Sequence, residues 1–507
     1  MKEVLLTILV FSPLLGMAAL LLVHGTQERR IKWVGILGTL PALSISLYLY
    51  GHYLAGHSLN VFSEKAGWIR FGDFQQIDPK LFTVDYELSV DGFSLLMVLL
   101  TTVLSTLAAV ASIHIKKEWK GYYLLFLLLE IGMLGVFLAQ NLVLFFIFFE
   151  ITLIPAFFLI GKWGYAQKER AAFSFLIYNG FGSAVLLLVI ITLLARAGTT
   201  NIEALKYLIN TEGVPLVSPI PSSMKYGMLI ALLIAFGVKL PIFPLHTWML
   251  RVHVQAPPSI VMLHAGVLLK IGAFGIIRFG LGIFPDQFKD LSVLIIVLGV
   301  INLLYGAFLA FIQQDFKMVL AYSSISHMGI VLMGLGSLNE AGLQGAIFQV
   351  VSHGLIAALL FCLVGIFYER VKTTSIKDLG GLSSVMPITA GFLLASAMAS
   401  LGLPGMSGFI SEFMAFLGLF KADPILAAIG TLGIILTAVY LLRAAMGMIF
   451  GKPKLQVNSE AVRDMETAEM VPVFILLAFI ILIGVYPAVL SNPLADTIQN
   501  ILSGSGG

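Results

Sequence analysis

The chain has 507 residues, of which 59% are hydrophobic and only 11% charged, with a mean hydropathy of +0.99. No water-soluble multidomain protein of this size approaches such a composition, which defines a polytopic membrane protein. A net charge of +3, spread over short basic clusters, excludes nucleic acid as a partner, and the single cysteine, Cys362, excludes an internal disulfide or an iron–sulfur cluster held by this chain alone.

Because a spanning helix needs roughly 17–25 apolar residues, the predicted fold is all-α with fourteen transmembrane helices. They fall near 3–24, 32–51, 89–113, 121–139, 141–160, 172–197, 226–248, 254–280, 291–312, 317–337, 341–368, 387–421, 425–449 and 470–490. The first has a long apolar run after Lys2 and no small-residue cleavage site, so it reads as a retained helix.

Lysine and arginine in short loops set orientation. Of the 30 basic residues, 18 lie in alternate loops beginning with Gln27–Lys32, among them Lys116, Lys117, Lys120, Arg370, Lys372, Lys452 and Lys454. Those loops are predicted to be cytoplasmic, which places both termini outside the cell membrane. The segments 52–88 and 198–225, with Pro, Gly and aromatic residues, then form an external cap.

Several titratable residues sit inside the apolar spans: Glu130, Glu150, Lys239, Lys270, His264, His327, His353 and Glu412. A charge at the centre of a membrane helix costs roughly 2.5–3.5 kcal/mol on insertion scales, so such groups face a partner or a water path. Glu150 ends an almost unbroken phenylalanine run, and Lys239 is its predicted counter-charge. The alternative for each is a structural ion pair between helices, and for Glu130 that reading stands beside a role near a proton-access path. Histidine passes protons through either ring nitrogen near neutral pH, which makes His327 and His353 candidate relays. His246 and His253, near a cytoplasmic helix end, are predicted to be solvated.

Pro241 and Pro244 break the segment that follows Lys239, because neither can donate a backbone N–H. A second break is predicted at Leu403, Pro404 and Gly405, shortly before Glu412. Paired discontinuous helices at membrane depth mark ion pathways in transporters built from inverted repeats.

Phe149, Glu150 and Pro155, the run from Val238 to Trp248, the run from Ala265 to Lys270, the stretch from Asp315 to His327, Val351 to Gly354, and Ser400 to Phe413 together resemble the antiporter-like membrane subunits of respiratory complex I. The likeness extends from about the third span to the thirteenth. It implies two inverted antiporter-like repeats, at 116–280 and 281–450, flanked by an N-terminal block at 1–115 and a last helix with a tail at 451–507. It also implies Glu150 paired with Lys239, Lys270 as central relay, His327 and His353 between half-channels, Glu412 as the distal titrating site, and Glu130 near the proton-access path. Glu412 stands where many members of the family carry lysine. Between Met249 and Pro258, the acidic positions that many members show are missing.

A subunit of this kind holds no cofactor or metal. NADH, FMN, iron–sulfur clusters and quinone are expected in partner subunits, and the expected neighbours are antiporter-like subunits of the NuoL and NuoN types, the redox arm, and membrane lipid. The activity implied is proton translocation as part of NADH:quinone oxidoreductase in the bacterial cell membrane. A component of a cation/proton antiporter, a membrane-bound hydrogenase module, and a purely structural scaffold remain as alternatives.

Overall fold

The computed structural model describes residues 4–70, 83–211, 216–452 and 463–504. Parts of the predicted cap, 71–82 and 212–215, and the segment 453–462 with Lys454 lie outside the described residues. Among the described residues twelve helices are long and apolar enough to cross a membrane, and the pair Leu5–Phe11 and Pro13–Leu22, bent by 41°, makes a thirteenth when taken as one span. The bend falls at Ser12, where Pro13 has no N–H for the preceding turn. The predicted span 387–421 is instead two shorter helices, Pro387–Ser400 and Ser407–Ala422. Gly402 and Gly405 between them have φ of +80° and +91°, a backbone that side chains with a Cβ rarely adopt. The predicted span 226–248 also stops early: its helix, Ser222–Lys239, ends on Lys239, and a new helix, Thr247–Gln255, begins after the two prolines.

The most enclosed elements are Pro258–Leu281, Phe316–Gly336 and Glu340–Val371. Lys168–Ala197, by contrast, turns Phe173, Ile177, Phe181 and Leu188 outward, an apolar face suited to lipid or another apolar surface. Small residues let neighbouring helices touch backbone to backbone. A Cβ on Gly299 of Ser292–Ile312 would stand 2.7 Å from the Gly329 carbonyl oxygen, and one on Gly306 would stand 2.6 Å from the Ser326 nitrogen.

Two connections repeat each other 174 positions apart. Asn141 caps Leu142–Trp163 while Leu142 N–H donates to Thr200 O and Ile202 N–H to Gln140 O; Asp315 caps Phe316–Gly336 while Phe316 N–H donates to Thr374 O and Ile376 N–H to Gln314 O. Five crossings separate Asn141 from Asp315, so the two connections lie at opposite membrane faces and the repeats are inverted. The fixed spacing of Gln140-Asn141 to Thr200-Asn201 and of Gln314-Asp315 to Thr374-Ser375 carries this symmetry in the sequence more directly than the Leu-Pro pairs.

A small antiparallel hairpin, Glu64–Arg70 with Thr83–Leu88, is the only sheet among the described residues. It covers helix ends: Glu64 accepts from Leu6 N–H at 2.6 Å, and the Glu87 carbonyl accepts from Gln140 N–H at 3.0 Å. Past the last span, Thr467–Val485, the predicted tail folds as a helix, Ala488–Gly504, that buries Leu490, Leu494 and Ile498 at four-residue spacing.

Asp464, in the loop before that last span, caps Pro387–Ser400. Its carboxylate accepts from Ile388 N–H at 2.6 Å, Thr389 N–H at 3.1 Å and the Thr389 hydroxyl at 2.6 Å. Burial pushes the acid upward, but these donors outweigh it and hold the group below the usual carboxylate range. A depressed acid stabilises the fold fully above its unfolded value of about 3.9 and loses that contribution only as pH falls through the lower folded value. Asp464→Ala is therefore expected to cost about 1 kcal/mol, as loss of a helix cap does, with a deficit constant between pH 5 and 8. Thermal unfolding across that range checks it.

Candidate functional site

The site is built upward from Lys239. Because its helix ends on this residue, the ammonium leaves the last turn toward Leu142–Trp163, where Nζ donates to the Thr152 hydroxyl at 3.2 Å and lies 4.5 Å from the Phe149 ring centre. The Thr152 hydroxyl in turn donates to the Phe149 carbonyl at 2.7 Å. The predicted contact ion pair with Glu150 is not formed. The ring of Phe149 and the hydroxyl of Thr152 take that place, and Glu150 Oε1 is buried without a hydrogen-bond partner. Glu150 remains near enough for its charge to act on Lys239 through the apolar interior.

The prediction of solvated histidines is also corrected. His253 is 0% exposed and His246 2%. The chain does not stay at the membrane surface after the break: Thr247–Gln255 packs into the bundle, with the Trp248 indole N–H on the Val238 carbonyl at 3.1 Å. This brings His253 Nε2 to 3.0 Å from His264 Nδ1, with the two rings 5.1 Å apart and nearly perpendicular. His264 is within electrostatic reach of Lys239, and His253 of Lys270. The outward-turned nitrogens, His253 Nδ1 and His264 Nε2, have no hydrogen-bond partner. The altered Met249–Pro258 stretch docks through Gln255, whose carbonyl accepts from Tyr165 N–H at 2.7 Å and whose side chain accepts from Gln167 N–H at 2.9 Å.

Lys270 is 0% exposed and lies between two π-helical turns, His264–Leu268 and Ile276–Leu281. Such widened turns are frequent at functional sites. Its Nζ is 2.6 Å from His353 Nδ1. His353 Nε2 lies 3.2 Å from the Ser324 hydroxyl, and its ring centre 5.4 Å from that of His327. His327 Nδ1 meets Gln349 Nε2 at 3.1 Å and Glu412 Oε1 at 3.5 Å, while its Nε2 is 3.4 Å from the Ser400 hydroxyl. Gln349, Ser352, His353, Ser400, Gly408 and Glu412 help line a cavity of about 10 Å³ here, close to the lower bound for one water molecule. Gly402 lies so near Glu412 that a Cβ there would stand 2.6 Å from Oε2, so the left-handed glycine makes room for the carboxylate.

The structure thus sets Lys270 against His353, the His353 ring beside that of His327, and His327 against Glu412, and separately pairs His253 with His264. Pro241, Pro244, Pro404 and Gly405 lie in the two breaks. Glu130 stands apart, fully buried with neither carboxylate oxygen bonded. Thr152 and Gln349 join the site from outside the family-like motifs, and Ser324 and Ser400 join it from within two of them, with no role evident for either in the sequence alone. Gln349 stands four residues before His353, and Ser324 three before His327, spacings that put each pair on one helix face. No group of residues able to hold a metal ion occurs among the described residues.

Inverted helical repeats, two broken spans and a buried line of titratable groups define the class: a polytopic membrane protein of the ion-translocating, antiporter-like kind. Residues 139–437 match the family model described as NADH:quinone oxidoreductase/Mrp antiporter, TM, and the chain belongs to that family. NADH-quinone oxidoreductase subunit M of Rhodobacter capsulatus is 35% identical over 98% of this chain and 96% of its own length. NAD(P)H-quinone oxidoreductase chain 4 2 of Thermosynechococcus vestitus is 37% identical over 96% of this chain and 89% of its own. A chain of respiratory complex I from Thermus thermophilus superposes with a TM-score of 0.85 at 29% identity, covering 99% of this chain and 100% of that one. A chain of the Mrp complex from Dietzia sp. shares the fold, with a TM-score of 0.81 at 21% identity and coverage of 99% and 96%.

Proposed function

We propose that this chain is the subunit-M-type proton-translocating membrane subunit of an NADH:quinone oxidoreductase, driven by redox chemistry in partner subunits. The observation that carries this reading is the buried line in which Lys270 meets His353, the His353 ring lies beside that of His327, and His327 meets Glu412, with the His253–His264 pair in the same bundle within electrostatic reach of Lys239 and Lys270. Each step joins groups that hold or release a proton, and none needs a cofactor in this chain. Lys239 with Glu150 loads the first inverted half, Lys270 hands the proton across, and Glu412 releases it from the second. Glu130 serves the approach to the first half. Displacing one charge across the membrane exchanges about 2.3 kcal/mol per 100 mV, comparable to the change from charging or neutralising one such buried group. NuoL-like and NuoN-like subunits flank the chain, the redox arm holds NADH, FMN, iron–sulfur clusters and quinone, and both termini face outward from the bacterial cell membrane.

Assembled complex in inverted membrane vesicles tests this reading. Lys239→Ala is expected to cut proton uptake per NADH oxidised to a small fraction, and Glu150→Ala to do nearly as much, because Glu150 is the carboxylate whose charge reaches Lys239. Normal uptake in both variants would favour a structural scaffold. Side-specific labelling of a Lys117→Cys variant in the same vesicles checks the orientation.

A further inference from the structure

The break after Lys239 strands backbone groups that no helix ladder can satisfy, and inside a membrane such groups need a partner. Part of the loop satisfies itself: Leu240 N–H reaches the Phe236 carbonyl at 2.8 Å, Ile242 N–H the Gly237 carbonyl at 2.9 Å, and Leu245 N–H the Ile242 carbonyl at 2.6 Å. Pro241 and Pro244 have no N–H to give. Two groups between them are met from the other repeat. Phe243 N–H donates to Asn302 Oδ1 at 2.7 Å, and Asn302 Nδ2 donates to the Pro241 carbonyl at 3.2 Å.

A single amide thus acts as acceptor and donor toward neighbouring groups of the broken backbone, from a fully buried position on Ser292–Ile312. A carboxylate there would accept but not donate, and an apolar side chain would do neither. One turn further along the same helix, the Tyr305 hydroxyl lies 3.2 Å from His246 Nε2, and its ring centre lies 5.0 Å from those of both Phe243 and His246. The helix that grips the loop is itself seated through Gly299 and Gly306 against Phe316–Gly336, which carries Ser324 and His327.

We propose that Asn302 is a positioning residue for the Lys239 proton site, fastening the helix break of the first repeat to the second so that the Lys239 ammonium stays on Thr152. The inference rests on the proton-translocating reading above. Both polar contacts of Asn302 are to loop backbone, so it acts through the support of Lys239 and not on the proton itself. Since the Lys239 ammonium rests on Thr152 and lies within electrostatic reach of Glu150 and His264, a shifted loop changes its surroundings and hence the pH at which it loads.

The test uses the whole complex in vesicles, with NADH-driven proton uptake followed against pH and hydrogen exchange followed over residues 240–246 in the same preparation. Asn302→Leu keeps a similar volume and removes both bonds. It is expected to lower uptake roughly tenfold to a hundredfold, the scale of an ångström-sized misplacement, to move the pH profile, and to speed exchange at the Phe243 amide. Asn302→Ser, whose hydroxyl serves one of the two groups, is expected to fall between Leu and native on all three readouts. Lys239→Ala serves as reference, and normal pumping in it would overturn the functional reading itself. If Lys239→Ala is inactive while Asn302→Leu retains native uptake, pH profile and amide protection, the positioning role alone is overturned. Where Asn302→Leu does not assemble, the same three native readouts in Asn302→Ser overturn it.

Discussion

Replacing Lys270 with arginine is expected to stop proton translocation while leaving the positive charge in place. The Lys270 ammonium, wholly buried and 2.6 Å from His353 Nδ1, links the helix after the first break to the histidines near the second. A lysine in that setting can give up its proton to the imidazole and recover it, whereas a guanidinium stays protonated at any pH a protein survives. Positioned proton donors and acceptors contribute about 10²- to 10⁴-fold to transfer rates, so uptake per NADH oxidised should fall to about a hundredth or less in Lys270→Arg. Lys270→Met, which keeps an unbranched chain one atom shorter and removes the charge, should be equally inactive. Proton uptake by vesicles of assembled complex decides it. Near-native pumping in Lys270→Arg would mean that Lys270 supplies only charge, and the handover from the first repeat to the second would then need another carrier.

At the far end of the line, Glu412→Gln should halt release with little change in structure. The amide fits the space opened by Gly402 and can still meet His327, but it cannot ionise. Loss of the proton-carrying group again predicts a fall of about a hundredfold. Glu412→Asp should keep part of the activity, its shorter reach lengthening the 3.5 Å approach to His327 Nδ1 and enlarging the cavity there enough for a water molecule to bridge. The ordering native, then Asp, then Gln is what a titrating acid requires. Equal uptake in Glu412→Gln and the native complex would leave Glu412 as a packing residue and place release elsewhere in the second repeat. Gly402→Ala offers an independent check, since its Cβ would press on Oε2 and its φ of +80° disfavours any side chain.

Much of this molecule is legible in the chain. Apolar runs long enough to cross a bilayer leave few choices of secondary structure, because the backbone can satisfy itself there only by helix or closed barrel. Charged residues inside those runs mark themselves by their cost, which is why Glu150, Lys239, Lys270 and Glu412 stand out in the sequence alone. Pro241 with Pro244, and Pro404 with Gly405, announce the two breaks, though how each span divides was visible only in outline.

What the sequence could not supply is which buried group meets which. Glu150 and Lys239 look like a pair by charge alone, yet the rotation of the two helices about their axes puts Thr152 and Phe149 against the ammonium and leaves the carboxylate a step away. His253 reads as a residue at a wet helix end, and packing of Thr247–Gln255 into the bundle turns it onto His264 instead. Asn302 carries no signal at all along the chain, one polar residue in an apolar helix 59 positions from the loop it holds. Composition and local pattern therefore determine that the chain spans the membrane, where it breaks and which groups can carry a proton. The order of those groups along a path belongs to the tertiary structure, because a proton passes only between atoms within hydrogen-bond reach, and that reach is set by how helices remote in sequence turn and pack against one another.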